Sequence, residues 1–146
     1  MNILIVYDSL YGNTEKIAQE IGENLPGSKL IQARQFTSDL LKEVELLIVG
    51  SPTHGGRPSQ ATKEFLNKIS DKALKNIGIA AFDTRMSIFF TKLFGYSAPR
   101  IAKVLEEKGG RLIVKPEGFI VTGSKGPLKE VELERAAGWA KGIKSL

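Results

Sequence analysis

The chain has 146 residues, 42% hydrophobic and 25% charged, with a formal net charge of +5, which suits one soluble domain around a single core. It has no cysteine and one histidine, His54, so disulfides, thiolate nucleophiles, cysteine-ligated zinc, iron–sulfur clusters and multi-histidine metal sites are excluded. A serine–histidine–acid triad would have to use His54, and no Gly-x-Ser-x-Gly elbow supplies its nucleophile.

Apolar residues at 3–6 predict a first strand over 2–7. Ile17, Ala18, Ile21 and Leu25, at helical spacing, predict a helix over 13–25 that Pro26-Gly27 stops. A weaker strand is expected at 29–33, then a short helix at 39–44. Residues 45–50, apolar on both faces, read as a central third strand. Ser59 is expected to cap a helix that turns Phe65, Leu66 and Ile69 inward. A fourth strand at 76–82 leads into a long loop at 83–97 and a helix carrying Ile101, Ala102, Val104 and Leu105, ended by Gly109-Gly110. The fifth strand spans 111–121 with Pro116 as an interruption. A last helix over 128–143 is expected to bury Leu133, Ala136, Ala137 and Ala140, with Trp139 partly covered.

Alternating strands and helices with no repeat or linker point to one α/β domain over residues 1–146, a three-layer, doubly wound parallel sheet. Its ligand crevice lies beyond the C-terminal strand ends, so the loops after strands one, three and four carry the chemistry. No apolar run reaches the roughly 20 residues of a membrane span and no leader pattern is visible, so a cytoplasmic location is expected. Lysines and arginines are scattered, without a run or an aromatic platform, so no nucleic-acid partner is expected.

In the first loop Ser9 and Thr14 offer hydroxyls, Asn13 an amide, and Gly12 allows close backbone approach, with Leu10 and Tyr11 between them. Lying at a helix start, this cluster suits a dianionic phosphate without any lysine or arginine in the loop. Capping alone would explain a hydroxyl near the helix start, but not Gly12-Asn13-Thr14 together with Ser9. Neither the dinucleotide nor the triphosphate glycine fingerprint occurs. The second loop, 50–59, holds Pro52, Thr53, His54, Gly55, Gly56, Arg57 and Pro58. It is longer than the roughly 2–6 residues usual for such connections. A planar ring could stack beside it and exchange hydrogen bonds with its backbone. The third loop begins Asp83-Thr84-Arg85 and continues into an apolar stretch at 86–96, which suits a cofactor wall, a partner surface, a dimer contact or a short extra helix tucking Phe89, Phe90 and Phe94 onto the body.

Residues 7–18, the run Gly50-Ser51-Pro52-Thr53 through Gly55-Gly56-Arg57-Pro58-Ser59, and Phe82-Asp83-Thr84-Arg85 resemble the flavodoxin-like family. So does the tail from Gly118-Phe119 through Gly126-Pro127-Leu128 to Glu134-Arg135-Ala136 and Trp139-Ala140. The resemblance covers the whole chain, and the first loop is particularly similar to the flavodoxin modules of multidomain flavoproteins. It implies a five-stranded sheet of order 2-1-3-4-5 that binds flavin mononucleotide (FMN). Ser9, Leu10, Tyr11, Gly12, Asn13 and Thr14 would then wrap the phosphate. Pro52, Thr53, His54, Gly55 and Gly56, with Arg57 beside them, would border one side of the isoalloxazine ring, and Asp83, Thr84 and Arg85 the other. It also implies a glycine peptide, Gly55 or Gly56, that flips as the flavin takes one electron and so stabilises the semiquinone.

On this reading the protein shuttles electrons between a reductase and a redox partner protein, with dimerisation through 86–96 as a further possibility. Two departures stand out. The chain is basic where electron-carrier flavodoxins are acidic, so Arg57 and Arg85 pointing at the flavin edge would make its second reduction potential less negative. Ring-stacking aromatics are not obvious: His54 is the candidate for one face, and Phe89, Phe90, Phe94 or Tyr96 for the other. A phosphoacceptor receiver domain shares the sheet order, but Asp8 stands alone and Gly50-Ser51 fills the acceptor position. Two alternatives remain, an FMN-dependent NAD(P)H:quinone-type reductase and a flavin-free interaction domain.

Overall fold

The structure, a computed structural model, describes residues 1–86 and 95–146. Strand β1 (Ile3–Tyr7) lies between β2 (Lys29–Gln32) and β3 (Leu46–His54), and β5 (Gly78–Met86) pairs with the far side of β3, all parallel. Burial on both faces explains the uninterrupted apolar runs in β1 and β3. The fifth position of the sheet is shared by two strands. β6 (Arg111–Leu112) pairs beside Gly78 and Ile79, and β7 (Glu117–Val121) beside Phe82 to Met86. Pro116, which has no N–H for a ladder, falls in the gap between them.

With β4 (Arg57–Pro58), antiparallel to the end of β3, the sheet has seven strands among the described residues, ordered β2-β1-β3-β5-β6 along its main path. The five expected positions are therefore present in the expected order. The count of five is corrected because Pro116 splits the last position and the second loop folds as a hairpin. Helices α1 (Asn13–Glu23) and α4 (Glu132–Lys144) cover one face, over a core that includes Ile17, Ile21, Phe82 and Phe119. Helices α2 (Gln60–Lys68) and α3 (Ser97–Glu107) cover the other, over Phe36, Phe65, Ile101 and Leu105. Ser59 caps α2 as expected, its hydroxyl accepting from the Thr62 N–H.

Three local readings change. The polar stretch after β2 forms two short 3₁₀ turns, Ala33–Gln35 and Ser38–Leu41, in place of one helix at 39–44. β5 runs on to Met86, so Asp83, Thr84 and Arg85 belong to a strand and not to a loop; β7 supplies the ladder partner that carries β5 outward. Leu133 is exposed. The inward position at the start of α4 goes instead to Glu132, and adjacent helical residues cannot share a face.

Glu132 is 4% exposed and accepts a 2.6 Å hydrogen bond from the Ile120 N–H on the outer edge of β7. Arg135 pairs with it through two guanidinium nitrogens and donates to the Gly118 carbonyl. Two side chains of α4 thereby satisfy backbone groups that an edge strand would leave open. Burial pushes the Glu132 carboxyl up, but Arg135 and the Ile120 N–H outweigh it and hold the carboxyl below its usual range. A depressed carboxylate stabilises the fold above its unfolded pKa, and this contribution is lost as pH falls through the folded value. Glu132→Gln is therefore expected to lower stability by about 1.5 kcal/mol at neutral pH, the low end for charged hydrogen bonds because Arg135 is partly exposed. In urea unfolding the gap to wild type should shrink from pH 6 to pH 3; a gap constant with pH would contradict the assignment.

Candidate functional site

A cleft of about 310 Å³ opens beyond the C-terminal ends of β1, β3 and β5. One side is the β1–α1 loop, which contributes Ser9, Leu10, Tyr11, Asn13 and Thr14. The hairpin contributes Pro52, Thr53, His54 and Gly55, and the end of β5 contributes Thr84, Arg85 and Met86. Val121, the last residue of β7, and Ser124 in the turn after it complete the lining. Of the fifteen residues expected at a ligand site, the cleft thus gathers eleven. Gly12, Gly56, Arg57 and Asp83 lie outside its lining.

The first loop is shaped by Ser9. Its Oγ accepts from the Gly12 N–H at 3.1 Å and the Glu15 N–H at 3.2 Å. Both acceptor positions of the hydroxyl are then occupied, and its own proton remains to be donated. Gly12 precedes the helix in the left-handed region (φ 92°) and contributes no side-chain cap, so the first amides of α1, at Asn13 and Thr14, point out of the helix start. Thr14 and Thr84, both buried, share one 2.8 Å hydrogen bond between hydroxyls. Two hydroxyl protons serve one bond, so the pair keeps one proton to donate elsewhere. The Glu15 carboxylate is held by the Tyr7 hydroxyl at 2.9 Å. This end of the cleft offers donors and the positive end of a helix dipole.

The second loop is a β-hairpin. Gly55 (φ 56°) and Gly56 (φ 78°) are its two turn residues, between the pairs Thr53↔Pro58 and His54↔Arg57. Positive φ at both central positions is what a type I′ turn requires, and glycine meets it without a Cβ penalty. The hairpin base is tied to α3, where Ser97 donates from its hydroxyl to the Pro52 carbonyl and from its N–H to Thr53 Oγ1. His54 and Arg57 are exposed.

At β5, Asp83 and Arg85 stand two residues apart on one face and pair with each other. Arg85 Nε and Nη2 lie 2.7 and 2.8 Å from the two Asp83 oxygens. Asp83 is fully buried and also accepts from the Ala98 N–H in the first turn of α3. Burial pushes its carboxyl above the usual range, while Arg85 and that N–H pull the other way. The guanidinium stacks on Tyr96, 3.4 Å from the ring centroid. Arg85 lines the cleft, but Asp83 neutralises its charge and Tyr96 covers it. Arg85 thus reaches the cleft as expected, but paired with Asp83, and Tyr96, one of the candidate stacking rings, lies against its guanidinium. Phe89, Phe90 and Phe94, and nearly all of the proposed 86–96 dimer contact, lie outside the described residues.

The contribution of Val121 and Ser124 was missed from sequence. The signal was there in Gly123 and Gly126-Pro127, a second glycine- and proline-marked turn at a C-terminal strand end. Among the described residues no cluster of potential metal ligands is found, and no helix is long and apolar enough to cross a membrane.

The family model described as "Flavodoxin domain" matches residues 4–116. A protein named flavodoxin from Clostridium saccharobutylicum is 33% identical over 93 residues, spanning 60% of this chain and 58% of its own length. An uncharacterized protein of Methanocaldococcus jannaschii is 30% identical over 124 residues, 84% of this chain and 72% of that protein. Among solved structures, oxidised Flavodoxin 2 from Bacillus cereus superposes with a TM-score of 0.84 at 24% identity over 99% of both chains. Rubredoxin oxygen:oxidoreductase from Desulfovibrio gigas gives 0.77 at 23% identity, covering 99% of this chain and 35% of that one. With the family model spanning most of its length and the sheet order in agreement, the chain belongs to the flavodoxin family.

Proposed function

We propose that the protein binds FMN in this cleft and passes electrons between a reductase and a redox partner protein. The observation that carries the reading is the division of the cleft. One end offers hydrogen-bond donors at a helix start, and the other is a slot between the hairpin and the end of β5. A phosphate-bearing ligand with a planar ring needs such a pair. FMN, when bound, supplies the one-electron chemistry.

The chain's own residues bind and orient. Ser9 and the Thr14–Thr84 pair would each donate a hydroxyl proton to the phosphate, and the amides of Asn13 and Thr14 would add theirs. Pro52 and Thr53, anchored through Ser97, hold one wall; Thr84 and Met86 form the other. The peptide between Gly55 and Gly56 lies at a hairpin tip where neither residue has a Cβ to oppose a change of orientation, so it would offer a carbonyl or an N–H to the ring edge. The absence of any uncompensated cation from Arg85 leaves Arg57 as the basic side chain of the hairpin that could act on the ring.

Reconstitution with FMN, followed by anaerobic titration, tests the reading. The expected result is a bound absorbance band near 450 nm and a long-wavelength band at half reduction. No flavin band after reconstitution would overturn it in favour of an interaction domain. Steady NADPH oxidation with a quinone and no added reductase would replace the carrier with a reductase.

A further inference from the structure

The donors at the phosphate end are neutral, and among the described residues the cation that lines the cleft, Arg85, is neutralised by Asp83. A dianion held there would be balanced by dipoles alone unless charge came from another element. The turn after β7 brings one. Ser124 lines the cleft beside the first loop. The next residue, Lys125, accepts a hydrogen bond from Asn13 Nδ2 on its backbone carbonyl at 3.2 Å. Asn13 is itself buried in the first turn of α1.

The turn is fitted closely to that helix start. Gly126 has φ +97°, and a Cβ placed on it would lie 2.6 Å from the Asn13 side chain, so a larger residue would push the turn off the loop. The Lys125 ammonium lies over the ring of Tyr11, 5.9 Å from its centroid, and Tyr11 is part of the cleft lining. Backbone and side chain of Lys125 therefore each touch the loop expected to hold the phosphate. The side chain is long and exposed, so its charged end can move from the Tyr11 face toward an anion without losing a buried partner.

Resting on the FMN reading, we propose that Lys125 is the phosphate-recognising cation of the cleft, held over the β1–α1 loop by the turn after β7. Its role is selectivity: it favours a flavin that carries a phosphate over the same flavin without one. The phosphate end is thus built from two loops, neutral donors from the first and a charge from the last.

The test is the dissociation constant of FMN and of riboflavin, read by quenching of flavin fluorescence, for wild type, Lys125→Met and Lys125→Arg. Wild type is expected to prefer FMN. Lys125→Met should weaken FMN about tenfold, leave riboflavin unchanged and flatten the salt dependence of FMN binding. Lys125→Arg should restore the preference. Equal loss for both flavins, or no loss for either, would overturn the proposal and leave the FMN reading intact. Failure of the wild-type protein to bind either flavin would overturn both.

Discussion

Gly50→Ala is expected to be among the most destabilising single substitutions in this chain. Gly50 pairs in register with Phe82 on the adjacent strand, and the Phe82 ring lies across the glycine. A Cβ at position 50 would fall 2.0 Å from the ring. The ring cannot simply move aside. It is fully buried, with Phe119 and Trp139 each 6.1 Å away in edge-to-face contact. One added methyl must therefore displace three aromatic rings or separate β3 from β5. Overpacking of this kind costs about 3 kcal/mol or more, which corresponds to a fall in Tm of roughly 6–12 °C for a chain of this length. The double variant Gly50→Ala with Phe82→Leu should be more stable than Gly50→Ala alone, because the smaller side chain leaves room for the methyl; such coupling is the signature of a direct contact. Urea unfolding of the two variants decides it. A Gly50→Ala protein within about 0.5 kcal/mol of wild type would show that the ring does not fill this space.

Much of this architecture was legible in the sequence because it depends on local pattern. β1 and β3 announce themselves by runs such as Ile3-Leu4-Ile5-Val6, whose residues are buried on both faces. Ser59 is legible as a cap because the hydroxyl, the helix start and the apolar positions that follow are adjacent in the chain. What sequence reading lost depends on long-range partners. Residues 83–86 look like a loop until β7 is seen beside them. The run 50–59 looks irregular because glycine and proline hide a hairpin whose second strand is only Arg57 and Pro58. The same omission misplaced the charges. Read as loop residues, Asp83 and Arg85 look like two independent charges at the ligand; read as a strand, they alternate with Thr84, so their side chains lie next to each other. Thr84 then meets Thr14, and the two charges meet each other.

That pairing gives the second large expectation. Asp83→Ala should cost about 3 kcal/mol, because it leaves a mostly buried guanidinium without its counter-charge and removes the acceptor for the Ala98 N–H. Asp83→Asn keeps an oxygen for that N–H and should cost less, so the difference between the two isolates the start of α3 from the ion pair. Replacing both partners by apolar residues of similar size, Asp83→Leu with Arg85→Met, should recover most of the loss, since no charge is then stranded. Thermal or urea unfolding of the three variants measures this, and an Asp83→Ala protein as stable as wild type would refute it. The pair also screens the cleft. With Asp83 neutralised, Arg85 keeps its place beside Thr84 and Met86 and its full positive charge acts on the ligand wall. In Asp83→Asn protein reconstituted with FMN, the reduction potential should therefore rise by on the order of tens of millivolts. An unchanged potential with Arg85 intact would mean that its charge does not reach the cleft. Asp83 thus holds the wall in place and sets how much charge that wall presents.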